Sequence, residues 1–159
     1  MSHDDEPIVR RFDGAGASFR WQDVPVLDYK SDTAAPFRDI TRQTLFKRDD
    51  MQGELRYFEV AAGGHSTLER HEHTHAVLVL RGMGACLVGT TVHRVGAFDL
   101  VTVPPRTWHQ FRAAANAPLG FLCMVDATRD RPELPDAQVL AHLQSIPEIA
   151  AFLSGGPGA

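Results

Sequence analysis

The sequence has no apolar run near the roughly 18 residues that a membrane-crossing helix needs, so no helical span is expected. It also lacks a basic excess. Its 16 Lys and Arg stand against 20 Asp and Glu, for a formal net charge of −4. No positive field is left to hold nucleic acid or an anionic membrane, and neither partner is expected. The opening Met1-Ser2-His3-Asp4-Asp5-Glu6 is acidic where a secretory leader is basic and then apolar, which predicts a cytoplasmic protein. Cysteine is scarce. Cys86 and Cys123 each sit inside an apolar run, the setting of a free buried thiol, and no disulfide is expected. Internal repeats and low-complexity segments are absent as well. What is present, 159 residues at 43% hydrophobic and 23% charged, suits one globular domain with a real core.

Along the chain, residues 1–35 are irregular, with Gly, Pro and Ser punctuating them and a short strand predicted around Val24 to Tyr29. Residues 36–126 read as the body. The β-branched Ile40, Thr41 and Thr44 favour a strand over Arg38 to Lys47, and Leu55 to Val60 alternates as a second strand ending at Gly63-Gly64. From there to Val125, short strands are broken by Gly82-Met83-Gly84, Gly89-Thr90-Thr91, Gly96-Ala97 and Pro104-Pro105. Short strands without intervening helices indicate an all-β sandwich or barrel. Residues 127–159 add a charged loop and two short helices, one capped by Asp136 and one with the capping-box spacing Ser145-Ile146-Pro147-Glu148. The strand Ala76 to Leu80 is apolar on both faces, so its outer face must meet these helices or a partner subunit; a homodimer is expected.

The chemistry concentrates in His65 to His75, which holds four of the eight histidines. On an extended strand alternate residues share a face, so Glu69, His71, His73 and His75 could lie together as a transition-metal donor set. A continuous strand favours His71, His73 and His75.

At this point the spacing resembles the first motif of the cupin family, Gly-x5-His-x-His-x3-Glu-x6-Gly, on Gly63, Glu69, His71, His75 and Gly82. The second motif, Gly-x5-Pro-x-Gly-x2-His-x3-Asn, falls on Phe98, Pro104, Arg106, His109 and Ala113. Glu69 stands where the family has His, and His75 where it has Glu. The two departures exchange places and leave three imidazoles and one carboxylate. The resemblance covers residues 55 to 125. It implies a cupin-type double-stranded β-helix, a jelly-roll barrel, with one divalent transition metal ion (Fe, Mn, Cu, Ni or Zn) on Glu69, His71, His75 and His109. In its register His73 falls between ligand positions. Phe98, Arg106 and Ala113 occupy the family's Gly, Gly and Asn positions, where replacement should alter loop shape more than chemistry.

Strand parity then places a pocket wall. Phe111 shares a face with His109; Phe121 and Cys123 share another, and Phe58 and Val60 close the far side. Cys123 can serve as an acid, a redox partner or simply wall. Such a lining suits a small organic substrate. The reading that follows is a metal-dependent cupin enzyme, with dioxygenase chemistry favoured over isomerase, cyclase or lyase chemistry. The alternative is a non-catalytic module that binds or senses a small ligand.

Overall fold

The computed structural model describes residues 7–14, 19–29 and 38–155, and its body is one antiparallel sheet closed on itself. Three two-residue strands come first: β1 (Phe12–Asp13), β2 (Arg20–Trp21) and β3 (Leu27–Asp28). Then follow β4 (Arg38–Lys47), β5 (Gly53–His65), β6 (His75–Val88), β7 (Thr91–Gly96), β8 (Leu100–Val103), β9 (His109–Ala113) and β10 (Leu119–Asp126). Two helices end the chain, α1 (Ala137–Gln144) and α2 (Pro147–Leu153). This is a jelly-roll barrel with short C-terminal helices, as the sequence predicts. No helix among the described residues is long and apolar enough to cross a membrane.

The long strand β6 organises the barrel because its two halves have different neighbours. Residues 75–78 pair with β8, and residues 76–82 pair with β10. Residues 83–88 pair with β7, and residues 84–88 pair with β9. The switch occurs at Gly82, whose φ is +74° and where an added Cβ would lie 1.7 Å from the Pro118 carbonyl oxygen. Gly82 and Gly84 therefore do not break the strand, as their composition suggests. They let two backbones approach closely inside one continuous element. Likewise β5 runs through Gly63-Gly64 to His65.

Inward residues of β4, β5, β6, β9 and β10 form the main core, with Val60, Val77, Val79 and Leu119 fully buried. The helices cover a different part of the outer surface. Leu143, Ile149 and Phe152 pack on Leu68, Ala85 and Leu87. Burial of each of those three helix side chains contributes roughly 1.5–3 kcal/mol. The outer face at Leu80 meets neither helix: it joins Phe19, Trp21, Val24, Leu45 and Tyr57 in a cluster that the N-terminal segment supplies. Gln43 ties that segment down, accepting from the Trp21 N–H at 3.2 Å and donating to the Phe19 carbonyl at 2.9 Å. Residues 19–24 thus act as an outer layer of the barrel.

Asp136 caps α1 as expected, accepting from the Val139 N–H at 2.8 Å. Ser145 does not cap α2. Its hydroxyl turns back to the His142 carbonyl at 2.6 Å as the end of α1, and Ile146 holds the cap position with no side-chain bond.

Candidate metal centre

Three histidines converge from separate stretches of chain. His75 opens β6 and His109 opens β9, while His71 lies in the connection that precedes β6. Glu69 pairs with His109 through two backbone bonds, Glu69 N–H to the His109 carbonyl at 3.1 Å and the reverse at 3.0 Å. The chain then bends at residues 72–73, so the strand is not continuous and the continuous-strand alternative does not hold. The bend turns His71 and His75 towards each other with ring centroids 4.4 Å apart. One ligating nitrogen from each of His71, His75 and His109 falls within 4.8 Å of the other two.

The hydrogen bonds around the rings settle which nitrogen each presents. His71 Nδ1 lies 2.8 Å from the His73 carbonyl and His109 Nδ1 lies 2.9 Å from the Thr107 carbonyl. A carbonyl only accepts, so both Nδ1 atoms carry the proton and both Nε2 atoms present lone pairs. His75 Nδ1 lies 3.4 Å from Cys123 Sγ. The Nε2 atoms of His71 and His75 are buried without a hydrogen-bond partner among the described residues. Buried acceptors left unmet are costly, and these share a site, so the residues fit a bound transition metal ion. Burial, reinforced by the neighbouring histidines, pushes His71 down to about 4 and His75 to about 2, which keeps both neutral and able to ligate.

His73 stacks on His71 at 3.7 Å but stands outside the triad, with its Nδ1 2.8 Å from Asp130. Asp130 also accepts the Glu72 N–H at 2.9 Å. This carboxylate from the C-terminal loop thereby pins the bend that brings the ligands together. At the second motif's changed positions, Phe98 and Arg106 adopt φ of +75° and +56°, the left-handed conformation that glycine adopts without penalty. Both non-glycine residues hold this conformation at a cost in strain. Arg106 is exposed and paired with Glu72, and its N–H donates to the His71 carbonyl at 2.7 Å.

The histidines open onto a cavity of about 210 Å³. Phe58, Phe111, Phe121, Cys123 and Glu69 are among the residues that line it. Val60 points inward on the same face as Phe58 but lies fully buried in the core, outside the lining. Cys123 is 2% exposed, with Arg56 Nη2 3.9 Å from its sulfur. Burial raises its pKa against the opposing pull of Arg56, so the resting group is a thiol. Sequence reasoning missed Tyr29, Arg42, Arg56, Arg129 and Asp130, all part of the same lining. A signal did exist for two of them: Arg42 is in phase with inward Ile40, and Arg56 with inward Phe58.

Comparison with known proteins agrees with this architecture. Residues 56–125 match the family described as Cupin domain. The chain is 52% identical over 157 residues to the 1-methylthio-D-xylulose 5-phosphate methylsulfurylase of Rhodospirillum rubrum, covering 99% of this chain and 98% of that one. Among solved structures it resembles a cupin-2 domain protein of Rhodospirillum rubrum, with 54% identity, a TM-score of 0.83, and coverage of 87% and 93% of the two chains. A cupin 2 conserved barrel domain protein from Rhodopseudomonas palustris is similar at 52% identity and a TM-score of 0.83, covering 91% and 97%. With the barrel, the two motifs and these relatives in agreement, the chain belongs to the cupin family.

Proposed function

We propose that this protein is a metal-dependent enzyme that cleaves the carbon–sulfur bond of a 1-methylthio ketose phosphate and passes the methylsulfanyl group to a thiol. The observation that carries the reading is the position of Cys123, a thiol in the cavity wall 3.4 Å from His75 of the histidine triad. The substrate class comes from the methylsulfurylase relative, which matches nearly the whole chain. Oxygen chemistry, favoured from the sequence, has no comparable support.

In such a substrate the sulfur sits on the carbon next to a ketone. Attack by a thiol sulfur forms an S–S bond and breaks the C–S bond. The electron pair leaves on carbon and spreads onto the ketone oxygen, and the thiol proton ends on that carbon. The balance is RSH + CH3S–CH2–C(=O)R′ giving RS–SCH3 + CH3–C(=O)R′. His71, His75 and His109, with Glu69 beside them, would hold a divalent ion, which would supply Lewis acidity to an electron-accepting ketone.

The chain's own groups do the rest. Cys123 is the acceptor, and Arg56 and the His75 Nδ1–H are the donors that stabilise its sulfur as the proton departs. Tyr29 shares the same wall, where burial holds its hydroxyl protonated as a hydrogen-bond donor. Phe58, Phe111 and Phe121 keep bulk water from the developing carbanion. An external small thiol then reduces the Cys123 methyl disulfide and frees the enzyme.

Incubation of metal-replete protein with 1-methylthio-D-xylulose 5-phosphate and a small thiol tests this. Mass spectrometry should find the mixed methyl disulfide and the 1-deoxy ketose phosphate. Cys123→Ser should lower turnover at least 1,000-fold, on the order of a lost covalent nucleophile. Full activity in Cys123→Ser would remove the thiol from the mechanism. Saturable binding without turnover by the unaltered protein would return the chain to the non-catalytic module.

A further inference from the structure

We propose that Arg42, with Arg56 beside it, is an anion subsite of this cavity that takes the phosphate ester dianion of a ketose phosphate. The proposal deepens the reading above and rests on it for the substrate class. Its basis is a difference between Arg42 and the other arginines near the cavity. Arg56 and Arg129 both reach Glu54, at 3.4 and 2.7 Å; Arg70 reaches Glu133 at 2.8 Å, and Arg106 pairs with Glu72. Arg42 has no such partner among the described residues, and its Nε is buried without a hydrogen bond. A half-buried guanidinium left this way is unfavourable unless an acceptor arrives from outside.

The sheet register puts a second donor within reach. Arg42 on β4 lies opposite Phe58 on β5, and Arg56 is two residues along β5 from Phe58. Arg42 and Arg56 are therefore diagonal neighbours on the inward face, a relation that brings long side chains together. Both line the cavity. Charge adds to geometry, since the single Glu54 carboxylate is shared by Arg56 and Arg129 and leaves the group with excess positive charge. Planar guanidinium forks suit phosphate oxygens better than any other side chain does.

The subsite also stands at a useful distance from the histidines. Reading across the sheet, β4 pairs with β5, β5 with β10 through Arg56 opposite Cys123, and β10 with β6 through Cys123 opposite Val77. Three strand spacings, roughly 14 Å between backbones, separate Arg42 from the strand that carries His75, and both side chains reach inward to shorten the gap. The order Arg42, Arg56, Cys123, His75 along this row is the order phosphate, carbon chain, sulfur and ketone would need. Tyr29, Glu69, Arg56, Cys123 and Arg42 all line this one cavity, so these groups face one shared space.

The probes are D-xylulose 5-phosphate, which has no methylthio group to transfer, and unphosphorylated D-xylulose. Calorimetric titration of metal-replete protein should show the phosphorylated ketose bound at least about 30-fold more tightly. Arg42→Met should weaken it roughly 10- to 100-fold, the size of a lost charge-assisted contact, and leave D-xylulose within twofold. Arg42→Lys should fall between, and serves if Arg42→Met does not fold. Inorganic phosphate should compete in the unaltered protein and not in Arg42→Met. Equal affinity for the two ketoses, or an Arg42 variant that weakens both alike or neither, overturns the subsite. Failure of the catalytic reading looks different: Arg42-dependent phosphoketose binding would persist without methylsulfanyl transfer. Transfer with Arg42-independent binding would do the reverse.

Discussion

The two walls of the cavity are incomplete in opposite senses. On the histidine wall, His71 and His75 present buried lone pairs that no donor meets. On the β4–β5 wall, Arg42 presents a buried N–H that no acceptor meets. The first is completed by a cation and the second by an anion, and Cys123 on β10 sits between them. Each wall carries an unfavourable desolvated group at rest, which is what a site tuned to bind rather than to stabilise its own fold is expected to show. A molecule with an electrophilic carbonyl at one end and a phosphate at the other would meet both needs together.

The largest expected effect comes from breaking the histidine wall. His109→Ala should leave less than a tenth of the metal retained by the unaltered protein after gel filtration, read by elemental analysis, because three imidazoles become two. Arg42→Met should leave metal content unchanged. If Arg42→Met strips the metal as well, the two walls are one structural unit and the contrast between them fails.

How much of this was legible beforehand differs between the walls for a physical reason. On the histidine wall, His71 and His75 lie close in sequence and His109 comes from a later strand, so strand spacing alone left His73 in contention and the resemblance to the cupin motifs pointed to His71, His75 and His109. The barrel followed from alternation and from the spacing of turns. The arginine wall depends on two strands in register and on what is absent around Arg42, and partners or their absence are tertiary facts. Even there, the inward phase of Arg42 was readable once Ile40 was assigned to the core. Glycine misled for a related reason: at Gly82 and Gly84 it marks the close passage of Pro118 and Arg112 backbone, information that lies more than twenty residues away. The role of Asp130 could not have been read at all, since it arrives from a loop that composition marks only as charged.

A middle-sized effect sharpens the boundary of the histidine wall. Glu69 is buried in the lining next to His109, and we propose it as the fourth ligand; His73 is engaged with Asp130 instead. Glu69→Gln should weaken metal affinity about 10- to 100-fold, in line with loss of a ligating or orienting carboxylate. His73→Ala should change it by less than about threefold, since a residue that only supports ligand geometry leaves the donor count intact. Competition against a chelating dye measures both. Unchanged affinity in Glu69→Gln would reduce the site to the histidine triad, and a large loss in His73→Ala would make its stacking on His71 part of the ligand sphere.

The smallest effect concerns metal-stripped protein and distinguishes the walls by pH. His71 has a pKa of about 4 in the folded chain and close to 6.5 once unfolded. Between those values the unfolded state binds a proton that the folded state refuses, so folding stability is complete above about pH 7 and declines as the pH falls towards 4. The full shift sets a ceiling, and a loss of roughly 2 kcal/mol by pH 5 is the expected scale for His71, with His75, held lower still, adding a similar amount. Urea midpoints of metal-free protein at pH 7.5, 6 and 5 should therefore fall steadily, with a shallower fall in His71→Gln and an unchanged slope in Arg42→Met. A flat profile in the unaltered protein would mean that His71 is already protonated when no metal holds it, and that its lone pair is not kept ready by burial.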